Sequence, residues 1–319
     1  MPHKALLFDK NTIREVKLED TRVKKLIWAD IENPNDEEKD FLVKILELDE
    51  PKEIKYWLKS NQRPAVFKAG NYTAVFFSIP QANRNLVFTA PLLFFVSQDR
   101  NDILTVHRGK IESITKIHSY HELRRLRVFK GGITNVLLMI LEEVVDSYFG
   151  YLDQLSDRIE NIEDRMFDYR QSRQVMKQTL AVKKSLIYLH RALIANREVV
   201  TSIERQYLQF FDEERQRDFR ELSLKIVQLI EMISTYRDVL TSTIEIHMST
   251  ISNNLNVTMK KITAWGALIL VPSLIAGIFG MNFHEIPLLT SHEGFYLSLA
   301  MMVASVFILA RYFQKKDWL

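Results

Sequence analysis

The spacing of hydrophobic residues divides the chain into three regions. In residues 1–130, short runs rich in β-branched and aromatic residues alternate with polar segments of helical character, and this pattern predicts an α/β domain. The runs predicted as strands include 26–29, 74–79, 92–96 and 103–106, and the segments predicted as helices are 36–48 and 51–59.

The middle region lacks helix-breaking residues. No Gly or Pro occurs between 151 and 265, so we predict helices much longer than the usual length of about 11 to 12 residues. We expect a helical hairpin over 131–218 and a stalk helix over 219–283, with their apolar faces forming a core or a coiled coil. The clearest apolar stripe consists of Val144, Tyr148, Leu152, Leu155, Ile159, Ile162 and Met166.

The C-terminal region contains two uncharged apolar runs, 262–283 and 294–310. Because about 20 apolar residues cross a bilayer, they predict transmembrane helices at about 262–283 and at 294–313. A short loop at 284–293 would join these helices, and a basic tail at 314–319 would follow the second. A hairpin buried in a soluble core is the competing interpretation.

Positive charge predicts how these spans are oriented. Lysines lie before the first span and after the second, whereas the connecting loop has no Lys or Arg. Since cytoplasmic flanks carry the excess of Lys and Arg, we expect both termini in the cytoplasm and a multi-pass protein of the plasma or inner membrane. The flanking lysines are Lys260, Lys261, Lys315 and Lys316.

Composition excludes several classes of function. The 319 residues include 43 Lys and Arg against 40 Asp and Glu, a net charge of +3, which is too balanced to hold nucleic acid by charge alone. Cys is absent, which excludes disulfides, thiolate metal sites and thiol nucleophiles. No phosphate loop, nucleophile elbow or dinucleotide fingerprint occurs, so we expect neither an enzyme nor a catalytic cofactor. The spacing of His118, His121 and Glu122 does not match a zinc-protease motif, and we expect a surface helix there.

Charge is also segregated within the predicted hairpin. Residues 142–168 contain nine acids and two arginines, whereas residues 169–217 are mainly basic. Two antiparallel helices of opposite charge would attract each other. The acidic surface is either an ordinary solvated face or a surface that concentrates cations.

One face of the helix that enters the first span is small or polar. Steps of three, four or seven residues keep its members on one side. Uncharged oxygen atoms suit a hydrated ion that must also leave, whereas small residues also allow close helix packing, and the pattern leaves both interpretations open. Two spans cannot enclose a pore, so a channel would require an oligomer. The stripe is Glu245, Ser252, Asn256, Met259, Thr263, Gly266, Leu270, Ser273 and Gly277.

The predicted outer end of this span reads Gly280, Met281, Asn282. Asn282 offers a neutral amide oxygen, and magnesium gives up its water reluctantly, so recognition of the hydrated ion by neutral groups is chemically sensible. Together with the α/β domain, long hairpin, stalk, two spans and basic tail, this motif resembles the CorA family of divalent-metal channels over nearly the whole chain.

The resemblance implies a homopentamer whose first spans line a pore for magnesium, with cobalt and nickel as secondary substrates. Gly280, Met281 and Asn282 would form the selectivity filter, and magnesium bound between subunits, with Glu245 as one ligand, would hold the channel closed. Magnesium is then a substrate and a regulatory ligand. The resemblance also implies a pore lining of Asn256, Met259, Ile262, Leu270, Ser273 and Gly277, with Met259 and Ile262 at its constriction, an outer cation-attracting ring at Glu285 or Glu293, and a basic collar of Lys260, Lys261, Lys315 and Lys316.

Two alternatives stand beside this interpretation. A zinc transporter of the ZntB type belongs to the same superfamily, although Met281 and Phe283 favour magnesium. A membrane-anchored coiled-coil scaffold would use the spans only as a tether and would not need a polar stripe. The expected partners are the lipid bilayer, further copies of the chain and divalent cations, without nucleic acid.

Overall fold

The computed structural model describes residues 3–9, 12–16, 25–48, 54, 56–58, 63–83, 86–97, 99–166, 172–207, 213–281 and 292–319. The chain forms two compact units, residues 1–241 and residues 242–319. The first unit contains a mixed sheet with its helices, and the second contains the apolar C-terminal helices.

The first unit is built on a seven-stranded sheet with the order β2-β1-β3-β7-β6-β5-β4. Strands β3 and β7 are parallel, and the other neighbouring pairs are antiparallel. The parallel register places Asp30 opposite Thr105, and Glu32 opposite His107, at the carboxyl ends of the two strands. The strands are β1 His3–Asp9, β2 Thr12–Val16, β3 Ile27–Glu32, β4 Ala65–Ala69, β5 Tyr72–Asn83, β6 Leu86–Ser97 and β7 Asp102–His107.

Helices cover both faces of this sheet. One face packs against α1, Asp36–Leu46, through the buried Leu42 and Leu46. A capping box fixes the start of α1, because Asn35 and Glu38 each accept a hydrogen bond from the backbone N–H of the other. The other face is covered by α2 Glu112–His118, α3 Glu122–Lys130, α4 Ile133–Arg165 and α5 Ser172–Tyr207. The helix predicted at 51–59 lies mostly outside the described residues.

The apolar stripe predicted in the middle region lies in the core of the first unit. Its seven members, from Val144 to Met166, are at most 4% exposed and join one cluster with the sheet. Their burial confirms the predicted core packing. The helices are as long as the missing Gly and Pro predicted, with 33 residues in α4, 36 in α5 and 67 in α6, Glu213–Phe279.

Helix α5 is joined to the sheet by a buried polar contact. Strand β4 pairs with β5 only up to Phe76, so the backbone of Ser78 lacks a partner from β4. The Asn196 side chain takes that place: its Oδ1 accepts from the Ser78 N–H at 2.8 Å, and its Nδ2 donates to the Ser78 carbonyl at 2.8 Å. The Tyr148 hydroxyl of α4 donates to the same carbonyl at 2.8 Å. Burial raises the pKa of Tyr148, so the hydroxyl keeps the proton that this bond needs.

The segment 118–122 does not form the surface helix that its sequence predicted. Helix α2 ends at His118 and α3 begins at Glu122, with the His121 side chain accepting a hydrogen bond at the start of α3. The ring of His118 instead stacks on Trp28 of β3 at a centroid distance of 4.7 Å. The prediction was wrong because the chain leaves the helical conformation between the two histidines, which turns His118 toward the sheet.

The second unit contains the C-terminal part of α6 and helix α7, His292–Lys315. Pro272 lies inside α6 without ending it. An α/β domain, very long helices and two apolar C-terminal helices are thus all present, and they confirm the predicted fold class.

Candidate ion pathway

The two apolar C-terminal helices are long enough to cross a membrane and are almost uncovered. Only 6% of the most apolar stretch in α6, and 11% of that in α7, is buried within the chain. A core helix of a soluble protein would be mostly buried, so the competing interpretation of a buried hairpin was wrong. These surfaces require an apolar environment from outside the chain, which a bilayer or further subunits would supply.

The predicted pore-lining residues lie on exposed parts of α6. Met259 and Ile262 are each 60% exposed and Leu270 is 70% exposed, and Asn256, Ser273 and Gly277 are also exposed. At about 100° per residue, this stripe lies more than 90° from the side of α6 that is covered. The covered side consists of the buried Ala264 and the half-buried Leu268, Val271, Ile275 and Phe279.

The stripe presents hydrogen-bond acceptors within the apolar stretch. The Ser273 hydroxyl donates its hydrogen to the backbone carbonyl of Ile269 at 2.8 Å, so only oxygen lone pairs remain to face outward. At Gly277 a side chain would meet no atom of the chain within 4 Å, so packing within the chain does not require glycine there. An open, acceptor-rich face of this kind can hydrogen-bond the water around a cation.

The predicted filter begins where α6 ends. The Gly280 N–H donates to the Ala276 carbonyl at 2.8 Å, and the Met281 N–H donates to the Ile278 carbonyl at 3.3 Å. A Cβ atom at Gly280 would lie 3.1 Å from the Ala276 carbonyl oxygen, a close approach that favours glycine. Met281 is 46% exposed. Asn282 and Glu285 lie outside the described residues.

The four lysines of the predicted basic collar are all exposed. Lys260 and Lys261 precede the apolar stretch of α6, and Lys315 is the last residue of α7. The chain after Lys316 folds back on α7: the Trp318 N–H donates to the Phe313 carbonyl at 2.9 Å, and the Trp318 ring stacks on that of Phe313. This is a Schellman cap, with Asp317 in the left-handed conformation usually taken by glycine.

The predicted acidic sites are incomplete within one chain. Glu245 is exposed on α6, and Glu293 is exposed in the first turn of α7. Among the described residues, no three or more His, Asp or Glu side chains are placed to hold a metal ion together. A metal site at Glu245 would therefore need further ligands from outside the described part of this chain.

A group of acids that sequence reasoning did not assemble lies in the first unit. Burial raises the pKa of Glu142; Lys225 opposes this rise, and Asp146, Asp218 and Glu221 add to it. Lys225 bridges to Asp146 at 3.3 Å. The sequence signal was available, because Asp218, Glu221 and Lys225 are spaced to share one face of α6, but it did not show that this face meets the acidic part of α4.

Comparisons with known proteins agree with this arrangement. The family model described as CorA-like Mg2+ transporter protein matches residues 23–316. The chain is 33% identical over 306 residues to the cobalt/magnesium transport protein CorA of Methanocaldococcus jannaschii, covering 96% of this chain and 94% of the relative. It is 26% identical over 262 residues to the protein of the same name from Thermotoga maritima, covering 82% of this chain and 74% of the relative.

The fold agrees over the whole length as well. The solved structure of the complete CorA magnesium transporter from Methanocaldococcus jannaschii superposes with a TM-score of 0.87 at 31% identity, covering 100% of this chain and 99% of that one. Similarity to the zinc transport protein ZntB of Yersinia pseudotuberculosis is more distant, at 25% identity over 185 residues, or 55% of each chain. The resemblance drawn from the sequence is confirmed, and the chain belongs to the family of CorA-like Mg2+ transporter proteins.

Proposed function

We propose that this chain is one subunit of a membrane channel that carries Mg2+ into the cell, with Co2+ and Ni2+ as secondary substrates. The observation that carries the proposal is the exposed stripe of small and acceptor-bearing residues on α6, which runs through an apolar stretch and reaches Gly280 and Met281. The similarity to cobalt/magnesium transport proteins over almost the full length supports the same substrates.

The chemistry of the stripe favours a cation that keeps its water. Mg2+ exchanges its hydration shell reluctantly, and the stripe offers hydroxyl and amide oxygens rather than carboxylates between Asn256 and Gly277. A ring of Asn282 side chains would select the hydrated ion by accepting hydrogen bonds from its water. Met259, Ile262 and Leu270 would form an apolar constriction that stops conduction when it is dry.

A channel of this kind requires several copies of the chain. Two spans cannot close a wall around water, and the exposed stripe on α6 has no cover within the chain. A cyclic homopentamer would place the five stripes around one axis. The domain organisation that we propose is a cytoplasmic α/β domain at 1–130, a hairpin at 131–218, a stalk and first span at 219–283, a loop at 284–293, a second span at 294–313 and a tail at 314–319.

Charge supports the proposed orientation and regulation. The collar lysines would lie at the cytoplasmic surface, with both termini inside. Glu285 and Glu293 would face the outside and attract cations to the mouth. Glu245, exposed on α6 and without a complete ligand set among the described residues, would bind regulatory Mg2+ together with acids of a neighbouring subunit, and loss of this ion would favour opening.

Uptake into liposomes tests the proposal directly. Purified protein is reconstituted as wild type, Asn282→Ala and the matched variant Asn254→Ala, which makes the same change on α6 about 160° from Asn256. We expect Mg2+ uptake by wild type and Asn254→Ala, slower uptake with Mg2+ inside, and none by Asn282→Ala. Uptake of Zn2+ in preference to Mg2+ would favour the ZntB-type alternative. No uptake of any divalent ion by inserted wild type would leave the scaffold.

A further inference from the structure

A chain of buried polar side chains crosses from β3 to β7 on the sheet face that is covered by α2. Its members are Trp28 and Asp30 of β3 and Thr105 and His107 of β7, and strand alternation places all four on one face. The side chains of His107 and Asp30 are 2% and 11% exposed. The transport proposal assigns no role to these residues.

Donors and acceptors in this chain can be assigned from one end. The Trp28 indole can only donate, and its Nε1 lies 3.1 Å from Thr105 Oγ1. The Thr105 hydroxyl then gives its own hydrogen to Asp30 Oδ1, at 2.6 Å, rather than to the Ala29 carbonyl at 3.4 Å. A length of 2.6 Å is within the range for a hydroxyl donating to an ionised carboxylate. Asp30 is therefore an acceptor in this contact.

The other end of the chain fixes the protons on His107. Its Nδ1 lies 2.7 Å from the Gly109 carbonyl oxygen, which can only accept, so Nδ1 carries a hydrogen. Its Nε2 lies 3.2 Å from Asp30 Oδ1 and 3.5 Å from Oδ2. If Nε2 had no hydrogen, its lone pair would face a buried carboxylate, which is a costly arrangement. Both ring nitrogens therefore act as donors, which only the imidazolium ion can do.

The loop after β7 holds the acceptor in position. Gly109 has a φ angle of +68°, a conformation that favours glycine, and its N–H donates to the Asn33 side chain at 2.9 Å. The Asn33 N–H in turn donates to the His107 carbonyl at 2.9 Å. These contacts fix the Gly109 carbonyl against the His107 ring without help from solvent.

Other charged groups nearby do not replace this proton. From α2, His118 Nε2 lies 3.9 Å from Asp30 Oδ2, beyond hydrogen-bond distance. Lys116 of α2 pairs instead with Glu143 of α4 at 2.7 Å. On the loop, Arg108 and Lys110 are exposed, and from β3 the Glu32 carboxylate accepts from Asn33.

We propose that His107 and Asp30 form a buried proton-binding site, in which a histidinium ion bridges the Asp30 carboxylate and the Gly109 carbonyl and ties β3 to β7 and its loop. The ligand is a proton. Its loss at alkaline pH leaves one uncompensated negative charge in the core and removes the donor from Nε2. The stabilisation is therefore present at low pH and is lost as the pH rises.

Thermal unfolding of the full-length protein in detergent tests this site. Asp30→Asn keeps an acceptor for Thr105 and offers an amide N–H to a neutral His107, so the network no longer needs the extra proton. Between about pH 6 and about pH 9, we expect the midpoint of wild type to fall by several degrees relative to Asp30→Asn. The matched variant Asp40→Asn, at an exposed position of α1, should follow wild type. Parallel profiles for wild type and Asp30→Asn would overturn the proposal.

A spectroscopic measurement on the wild type does not depend on any variant folding. An exposed histidine, with an ordinary pKa of about 6.5, is almost fully neutral near pH 8.5. Magic-angle-spinning NMR of protein with 15N-histidine and 13C-carbonyl glycine, in lipid at this pH, should show one of the eight histidines with both ring nitrogens protonated and close to a glycine carbonyl. The absence of such a histidine would overturn the proposal.

Discussion

Replacing Asn196 by Ala should weaken the attachment of α5 to the sheet. Asn196 is fully buried, and its amide bonds both the N–H and the carbonyl of Ser78 at 2.8 Å. In the variant, the Ser78 carbonyl keeps the Tyr148 hydroxyl at 2.8 Å, but the Ser78 N–H is left without an acceptor. An unsatisfied buried N–H costs about 1–3 kcal/mol and the second lost bond about 1 kcal/mol, so the expected loss is roughly 2–4 kcal/mol.

Tyr148→Phe provides a comparison within the same network. This change removes one donor to the Ser78 carbonyl, which Asn196 still satisfies, so we expect a loss of about 1 kcal/mol. The double variant leaves both polar groups of Ser78 unsatisfied. Its loss should therefore exceed the sum of the single losses by about 1–2 kcal/mol.

Thermal unfolding of the full-length protein, followed by the fluorescence of its tryptophans, measures these losses. For a unit of this size about 1 kcal/mol corresponds to roughly 2–4 °C, so Asn196→Ala should lower the midpoint by about 4–16 °C. The control is Gln178→Ala, at an exposed position of the same helix, which should change stability by less than about 0.5 kcal/mol. The reasoning is refuted if the two variants unfold at the same temperature.

Two further predictions concern pH and conduction. Burial raises the pKa of Asp102, while Tyr72 and Arg100 oppose the rise; a raised carboxyl pKa favours folding at low pH and loses this effect as pH increases above about 4, so Asp102→Asn should gain stability relative to wild type between about pH 4 and pH 7, and a difference that is constant in unfolding measurements over this range would contradict it. Ile262→Thr should wet the proposed constriction and raise Mg2+ uptake into Mg2+-loaded liposomes several-fold, and unchanged uptake would argue against a constriction at this residue.

The sequence predicts most where burial follows a regular period. The stripe from Val144 to Met166 could be read from spacing alone because each member packs on the same side of α4, and all are buried. The two apolar C-terminal helices were predictable because bilayer thickness fixes their length. Strands β1, β2 and β4 were missed, since they are short or lie toward a sheet edge, where one-sided burial weakens the hydrophobic pattern.

Contacts between distant residues explain the rest. Asn196 is 118 positions from Ser78, and no local pattern shows that strand β4 stops before Ser78. His118 could not be placed against Trp28 because the break between α2 and α3 at 119–121 has neither Gly nor Pro. Asp30, Thr105 and His107 come together only through the parallel pairing of β3 and β7, which the order of elements along the chain does not specify.

The filter itself shows what the sequence and the family provide together. Gly280 and Met281 continue the end of α6, whereas Asn282 and Glu285 lie outside the described residues. Their proposed roles depend on the motif, its place after an apolar stretch, and membership of the family. The stripe on α6 is the part of the pathway that can be tested through geometry.

The claim that this stripe lines a water-filled path is tested most directly by cysteine accessibility, because the natural chain has no Cys. Leu270→Cys lies on the stripe, and Leu268→Cys makes the same change two residues earlier, about 160° away around the helix. Both variants are reconstituted in liposomes and treated with a charged, membrane-impermeant thiol reagent while Mg2+ uptake is followed. The account predicts modification and loss of uptake for Leu270→Cys, with neither effect for Leu268→Cys. Equal modification of the two positions, or modification of Leu268→Cys alone, would contradict it.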